Sequence, residues 1–226
     1  MIAIIKKELK SYFLSPIGYV FIGLFLLMAS LFFYLDVISY ATIRFEDMFY
    51  SLTTILTFII PILTMRTFAE ERSKQTETLL FTSPVSIPRI VLGKFLSCAI
   101  VLVITEILTL FYFVILTFLG TPEIITAIAT LIGFLLLGLG FIAFGIFASS
   151  ITENQIVAGV ITIGFSIMMW FLPELFPILS VFSLNNMFVN FPSGIIAIKE
   201  IVGLVSFSIL FVLLTMIVLQ RRKSVK

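Results

Sequence analysis

The side chains that could carry out chemistry are few in this sequence, and their types exclude most kinds of active site. There is no histidine, and the one cysteine, Cys98, lies inside an apolar run. A histidine-built metal, haem or proton-relay site and an intrachain disulfide are therefore excluded. The carboxylates show no metal-binding spacing, and an enzyme working inside a membrane would need a nucleophile with a base. We expect no catalytic residue and no metal or cofactor bound by this chain.

Charged side chains are concentrated between residues 66 and 94, and their spacing predicts a polar helix. Glu70 precedes Lys74 by four residues, the favourable order for an ion pair on a helix. Helix formers continue until Thr82-Ser83-Pro84, which should end the helix, and Pro88 should start the next one. The charged middle of the first helix should face water. The segment is either a solvated linker or a docking surface for another protein.

The composition predicts an all-α integral membrane protein. Hydrophobic residues make up 61% of the 226 residues and charged residues 12%, whereas soluble domains are about half apolar and a quarter charged. The apolar runs are roughly 17 to 25 residues long, which suits helices crossing a hydrocarbon core of about 30 Å. They lack the strict alternation of membrane β-strands. Helices are therefore the expected form of the spans.

Six apolar runs predict six transmembrane helices within one transmembrane domain, residues 17–226. The predicted spans are residues 17–35, 48–65, 95–119, 124–147, 156–172 and 201–219. The first run lacks a small-residue cleavage site, so we do not interpret it as a signal peptide. Before it, residues 1–16 have apolar side chains at a spacing of three and four against lysines, which predicts an amphipathic helix on the inner membrane face. An ordinary basic flank is the alternative.

The basic residues predict the orientation of the chain. Three precede span 1 (Lys6, Lys7, Lys10), five lie between spans 2 and 3 (Arg66, Arg72, Lys74, Arg89, Lys94), and four follow span 6 (Arg221, Arg222, Lys223, Lys226). Only Arg44 and Lys199 fall on the other side. By the positive-inside rule both termini and residues 66–94 are cytoplasmic.

Glu106 is the one charge deep inside a span. It lies about 12 residues from Lys94, roughly 18 Å along a helix and so near mid-membrane. A charge there costs about 2.5–3.5 kcal/mol, so the side chain should face protein or water. It is either a pathway or subunit-interface residue, or a neutral glutamate that fixes packing through Thr105, Thr109 or Tyr112. We favour packing, because no basic partner is visible.

Two further features of the spans concern packing and bending. Pro61 in span 2 should bend the helix above the charged segment and could form a hinge there. Gly133, Gly138, Gly140 and Gly145 lie along span 4, and small residues let helices approach closely. Gly145 and Ser149 form a small-xxx-small pair. Close packing is the expected role of these small residues, and a dimer contact is the alternative.

The charged segment carries a motif that resembles a known family. The motif residues are Glu70, Glu71, Arg72, Thr76, Glu77, Thr78, Leu79, Leu80, Pro84, Val85, Ser86, Ile90, Gly93 and Lys94. In this order, between a second and a third span, they resemble the coupling region of ABC type-2 permeases. Gln75 stands where that family usually has glycine, which makes this part less flexible. Residues 15–19, 145–150 and 153–158 resemble the gliding-motility-like branch and the permease of the copper-maturation transporter of nitrous oxide reductase.

The resemblance implies a fold, a function and partners. It implies the ABC type-2 exporter (type V) permease fold and a permease subunit of an ATP-binding-cassette exporter in the plasma or inner membrane. A second permease subunit, the same or different, and a cytoplasmic ATPase dimer binding ATP and magnesium would be the partners, with no nucleic acid. The chain has no G-x-x-x-x-G-K-[ST] phosphate loop of its own, so the partner must supply the energy.

The resemblance also implies the residues that couple the permease to its ATPase. They are Glu70, Glu71, Arg72, Lys74, Thr76, Glu77, Leu79, Leu80 and Pro84. We expect residues 70–80 to insert into a groove of the ATPase. Reversing the charges of Glu71 and Arg72 together should abolish stimulated ATPase activity while leaving membrane insertion intact.

The stretch from residue 173 to 200 is apolar but repeatedly broken by proline and glycine. Pro173, Pro177, Pro192 and Gly194 interrupt it, which predicts short helices dipping into the outer membrane face. Related permeases close their outer end with such a re-entrant pair, so Asn185, Asn186 and Pro192 are candidate gate residues. A surface loop is the alternative.

A secondary transporter or channel and a scaffold are the alternatives to a permease subunit. A self-sufficient secondary transporter or channel often shows internal repeats and several intramembrane charges, and neither is visible here. A scaffold is compatible with the same spans. Co-purification of an ATPase would separate the first interpretation from the others, while the substrate is not indicated by any residue pattern.

Overall fold

The described residues of the computed structural model are 1–78, 85–175 and 183–225, and all their regular structure is helical. The α-helices are α1 Ile2–Leu14, α2 Pro16–Phe32, α3 Phe45–Thr64, α4 Ala69–Ser73, α5 Ile87–Leu119, α6 Ile124–Ile151, α7 Gln155–Leu175, α8 Leu184–Phe188 and α9 Ile198–Val225. A π-helical turn, Phe33–Ile38, continues α2, and a 3-10 turn, Phe191–Ser193, follows α8.

Among the described residues, five helices are long and apolar enough to cross a membrane. They are α2 with its π-helical turn, the stretch from the start of α3 to the end of α4, and the three helices α5, α6 and α9. The fifth predicted span, residues 156–172, corresponds to α7, whose apolar part Gln155–Phe171 is shorter than the other five. The structure thus supports a multi-pass, all-helical membrane protein.

The helix predicted to start at Pro88 and to lead into the third span is confirmed. One uninterrupted helix, α5, starts at Ile87 and runs to Leu119, whereas the apolar run began at residue 95. Ser86 precedes the helix and Pro88 occupies its first turn, where the missing N–H of proline costs nothing and its fixed φ favours the helix. Lys94 therefore lies on α5, inside the helix that continues into the membrane.

Helix α6 is the centre of the bundle. It packs against α3, α5, α7 and α9 and is the most buried of the five candidate spans. A Cβ added at Gly138 would lie 2.4 Å from Leu102 of α5, and one at Gly145 would lie 2.2 Å from the hydroxyl of Thr64 of α3. At Gly138 only the end of the flexible Leu102 side chain would have to move, whereas at Gly145 the Cβ of Thr64 is also within 2.8 Å. Glycine therefore sets the spacing between α6 and α3 at Gly145, as expected for span 4.

A cluster of phenylalanine rings fills the core around Phe134 of α6. The ring of Phe134 on α6 lies 5.9 Å from Phe25 of α2, 4.9 Å from Phe49 of α3 and 6.2 Å from Phe188 of α8, in edge-to-face contacts. All four side chains are fully buried or nearly so. Because edge-to-face pairs add to the gain from burial, this cluster holds α8 against the bundle.

Candidate functional site: the coupling segment

The coupling segment, residues 66–94, does not begin with one continuous helix as predicted. Helix α4 ends at Ser73, and residues 74–76 form a turn before helical geometry resumes at Glu77. The turn contains Gln75, whose φ of 56° places it in the left-handed region. Left-handed geometry costs a residue with a Cβ about 1–2 kcal/mol, and glycine avoids this cost. The prediction of an unbroken helix was wrong because no glycine or proline marks this turn.

Glu70 connects a residue before α4 with a residue after it. Its carboxylate accepts a hydrogen bond of 2.7 Å from Arg66 and one of 2.6 Å from Lys74, so the predicted i,i+4 pair with Lys74 is present. Arg66 also donates to the hydroxyl of Ser15, 3.3 Å away, at the junction of α1 and α2. Glu70 therefore orders the segment locally and connects it to the N-terminal helices.

The ammonium group of Lys94 is the most buried charge of the region. Its nitrogen lies 3.0 Å from a carboxylate oxygen of Glu8 on α1 and 3.1 Å from one of Glu71 on α4, and it donates to the carbonyl of Thr67 at 2.6 Å. The Lys94 side chain is only 2% exposed. It also lies over the ring of Phe68, 5.0 Å from the centroid. We call Lys94, Glu8, Glu71 and the Thr67 carbonyl the Lys94 cluster.

The Lys94 cluster joins three elements at one point. A buried ammonium must satisfy its three donors, and here a carboxylate from α1, one from α4 and a backbone carbonyl do so. Removing Lys94 would leave two largely buried carboxylates without their shared cation, which is costly. The cluster therefore couples the position of α4 to α1 and to the beginning of α5.

Two arginines bind the C-terminal end of α6. Arg72 and Arg222 both donate to the carbonyl of Ile151, at 2.9 and 3.0 Å, where the last carbonyls of a helix carry partial negative charge. Arg72 also pairs with Glu153, and Arg222 lies 3.5 Å from the carboxylate of Glu77. The segment is thus held to the ends of α6 and α9.

Ser149 links α6 to the start of α4. Its hydroxyl accepts hydrogen bonds from the backbone N–H groups of Phe68 and Ala69, both at 3.1 Å, and donates to the carbonyl of Met65 at 2.9 Å. The first N–H groups of a helix lack internal partners, and this serine on another helix supplies one. Sequence reasoning had interpreted Ser149 only as a small packing residue.

Tyr12 fixes α1 to the same region. Its hydroxyl donates to the carbonyl of Leu63 at 3.0 Å and lies 3.2 Å from the sulfur of Cys98. Burial raises the pKa of the Tyr12 phenol well above its ordinary value, so the group remains a neutral donor at physiological pH. Tyr12 and Glu8 were missed from the sequence because neither belongs to a local motif.

Only part of the coupling segment faces outward. Residues 73–76, which we call the tip, are exposed, as is Thr78. The side chains of Glu71 and Glu77 are only 15% and 8% exposed, so the expectation that the charged middle faces water was wrong for them. Lys94 and Arg222 attract these carboxylates inward. Leu79, Leu80 and Pro84 lie outside the described residues.

The two candidate pathway residues lie in the bundle. Helix α3 continues through Pro61 to Thr64, and Pro61 is buried. Glu106 on α5 is also buried, but the hydroxyl groups of Thr105 and Thr109 donate to backbone carbonyls, and that of Tyr112 to the carbonyl of Leu26. Among the described residues, the hydrogen bonds predicted between the Glu106 carboxyl group and these three hydroxyl groups are therefore not formed.

The candidate gate residues belong to α8 and the 3-10 turn. Asn185 is buried, and neither amide atom of its side chain has a partner among the described residues. Asn186 is exposed, and its backbone N–H faces the capping hydroxyl of Ser183. Pro192 is buried next to Phe191, which packs where a Cβ on Gly133 would stand. Pro177 lies outside the described residues.

A comparison with models of known protein families identifies the family of the chain. A family model described as ABC-2 family transporter protein matches residues 38–217, which include the whole coupling segment. The chain belongs to the ABC-2 transporter family. The ABC-2 match makes it a membrane transport component, and it omits α1 and α2, so Glu8 and Tyr12 lie outside the matched range. No curated protein sequence matches the chain.

Proposed function

We propose that this chain is the permease subunit of an ATP-binding-cassette exporter and that a separate cytoplasmic ATPase dimer, which binds ATP and magnesium, drives it. Membership of the ABC-2 family supports the transport role. The motif of the coupling segment, which resembles that of the gliding-motility-like and copper-maturation permeases, supports the ATPase partner and the direction of transport. A second permease subunit, the same chain or another, would complete the pathway.

The proposed topology has six spans with both termini in the cytoplasm. Helix α7 is the fifth span along the chain and completes the six, and its short apolar part is extended by the helix up to Leu175. The distribution of lysine and arginine supports this orientation, in which the coupling segment lies on the cytoplasmic side of a plasma or inner membrane. Helix α1 then lies at the cytoplasmic interface, and α8 with the 3-10 turn closes the outer end through Asn185, Asn186 and Pro192.

The observation that carries the coupling role is the contrast between the base and the tip of the segment. The base is fixed to α1, α5 and α6 by the Lys94 cluster, Arg72 and Ser149, whereas residues 73–76 are exposed. A force applied at the tip reaches these helices through short, buried contacts. Glu71, Arg72 and Glu77 position the segment, and the tip meets the ATPase.

A test of coupling needs a substitution that changes the exposed tip and leaves the internal contacts of the segment intact. Reversing the charges of Glu71 and Arg72 would also break internal contacts, so a loss of ATPase stimulation would be ambiguous. Ser73→Arg instead places a bulky cation on the exposed tip. In proteoliposomes with the cognate ATPase, we expect it to lower stimulated ATPase activity roughly tenfold or more, the effect of disrupting a central interface contact.

The matched control is Thr121→Arg, which alters an exposed hydroxyl residue between α5 and α6, at the opposite end of the bundle. It should leave stimulation unchanged. Both variants should insert into the membrane and unfold at the temperature of the parent protein. Normal stimulation by Ser73→Arg, or transport of cargo by the purified chain without nucleotide, would disprove the proposed function.

A further inference from the structure

Glu106 is a buried carboxyl group whose position is explained by no contact among the described residues. The residue is 6% exposed, and its buried Oε1 atom has no hydrogen-bond partner within the described part of the chain. The neighbouring hydroxyl groups of Thr105 and Thr109 are used by backbone carbonyls. A buried carboxyl group without a partner is costly and points to a ligand.

The carboxyl group lines a groove between α5 and α6 that is otherwise apolar. The other lining residues are Val103, Ile107 and Leu110 of α5 and Leu131, Ile132 and Leu135 of α6. Ile107 is 58% and Ile132 40% exposed, so the groove opens on the outer, lipid-facing surface of the bundle. Its volume of about 180 Å³ is below the roughly 300–1,000 Å³ of ordinary small-molecule sites. It suits one inserted side chain better than a transported cargo.

The chemistry of the groove identifies the kind of side chain it would take. A charge at mid-membrane is stabilised by pairing with the opposite charge, and a helix is the usual form of a neighbouring polypeptide at that depth. All 14 lysines and arginines of this chain lie before, between or after the apolar runs. A second copy of the chain therefore brings no cation to the depth of Glu106, and the cation must come from another protein.

We propose that the groove between α5 and α6 is a docking site for a transmembrane helix of a different membrane protein, which carries a lysine or arginine near its midpoint and pairs with Glu106. Ile107 and Ile132 flank the inserted side chain and pack against the partner helix. The site is separate from the ATPase contact, because Glu106 lies about 12 residues beyond Lys94 on α5, roughly 18 Å along the helix from the coupling segment.

Disulfide cross-linking in proteoliposomes tests this proposal. The probe is a synthetic single-span helix of leucines with a lysine at its centre and a cysteine one turn away. A matched helix has leucine in place of the lysine. Ile132→Cys in the full chain should cross-link to the lysine helix roughly tenfold faster, the effect of one strong interhelical polar contact. Native Cys98 is fully buried and needs no replacement.

Two variants provide controls. Glu106→Gln, combined with Ile132→Cys, should remove the preference for the lysine helix. Val160→Cys, at an exposed position of α7, should show no preference. Equal cross-linking of the two helices, an absence of cross-linking, or a preference that survives Glu106→Gln would overturn the proposal. Rapid formation of Ile132→Cys dimers without any probe would also overturn it, since a second copy would then occupy the groove.

Discussion

Replacing the buried Lys94 with methionine should destabilise the protein far more than the loss of an exposed lysine would. Met has a similar length, so the variant removes the ammonium group and leaves the apolar stem. Glu8 and Glu71, whose side chains are 12% and 15% exposed, would then face each other without their shared partner. Removing one member of a buried ion pair costs about 3–5 kcal/mol.

The lower end of that range is expected, because one other cation is near. The ammonium of Lys7 lies 3.4 Å from Glu71 and 3.8 Å from Glu8, but it is largely exposed and compensates weakly. A cost of about 3 kcal/mol corresponds to a fall in Tm of roughly 6–12 °C for a chain of this size. Thermal unfolding in nanodiscs measures this shift.

Lys74→Met is the matched control. Lys74 makes a 2.6 Å contact with Glu70, shorter than either carboxylate contact of Lys94, but its side chain is 65% exposed. Exposed helix pairs contribute about 0.3–0.5 kcal/mol, so the control should barely shift Tm. Adding Glu71→Gln to Lys94→Met should recover part of the loss, because one uncompensated carboxylate disappears. Equal shifts for Lys94→Met and Lys74→Met would refute the reasoning from burial.

Three more substitutions test the packing, the turn and the outer segment. Gly145→Ala should lower the free energy of unfolding by about 1–3 kcal/mol, because the added methyl group would overlap the Thr64 hydroxyl at 2.2 Å. Gly164→Ala is the control and should be neutral or stabilising in thermal unfolding, because no atom lies within 4 Å of its added methyl group. Gln75→Gly should slow proteolysis of the coupling segment by relieving left-handed strain of about 1 kcal/mol, and Gln75→Ala should not; equal protection by both would disprove the strain. Asn185→Leu should raise Tm by removing a buried amide without partners among the described residues and should impair transport if this residue is part of the gate; unchanged transport would remove it from the gate.

The main helices were predictable because their signal is long and local. A run of apolar residues long enough to cross a bilayer leaves few alternatives to a helix, and the glycines of α6 indicated close packing before any contact was known. The start of α5 was predicted from Pro88 although the apolar run begins only at residue 95, since a run of apolar residues and a helix need not coincide. Pro88 gave the true beginning more accurately than hydropathy did.

The contacts of the coupling segment were not predictable, because they join residues that are far apart in the chain. Lys94 and Glu8 are 86 residues apart, with α2, α3 and α4 between them. Ser149, near the end of α6, contacts the start of α4 although 81 residues separate it from Phe68. Charge alone suggested that Glu71 would be solvated, but a buried ammonium nearby reverses that expectation. A motif identifies the residues of such a segment and does not reveal which face inward.

The central claim is that the exposed tip of the coupling segment meets a cytoplasmic ATPase. The most direct measurement is the labelling of Ser73→Cys by a membrane-impermeant maleimide in oriented vesicles, with and without the cognate ATPase. We predict labelling only from the cytoplasmic side and protection of the thiol when the ATPase binds. Labelling from the outer side, or a rate that the bound ATPase leaves unchanged, would contradict the account.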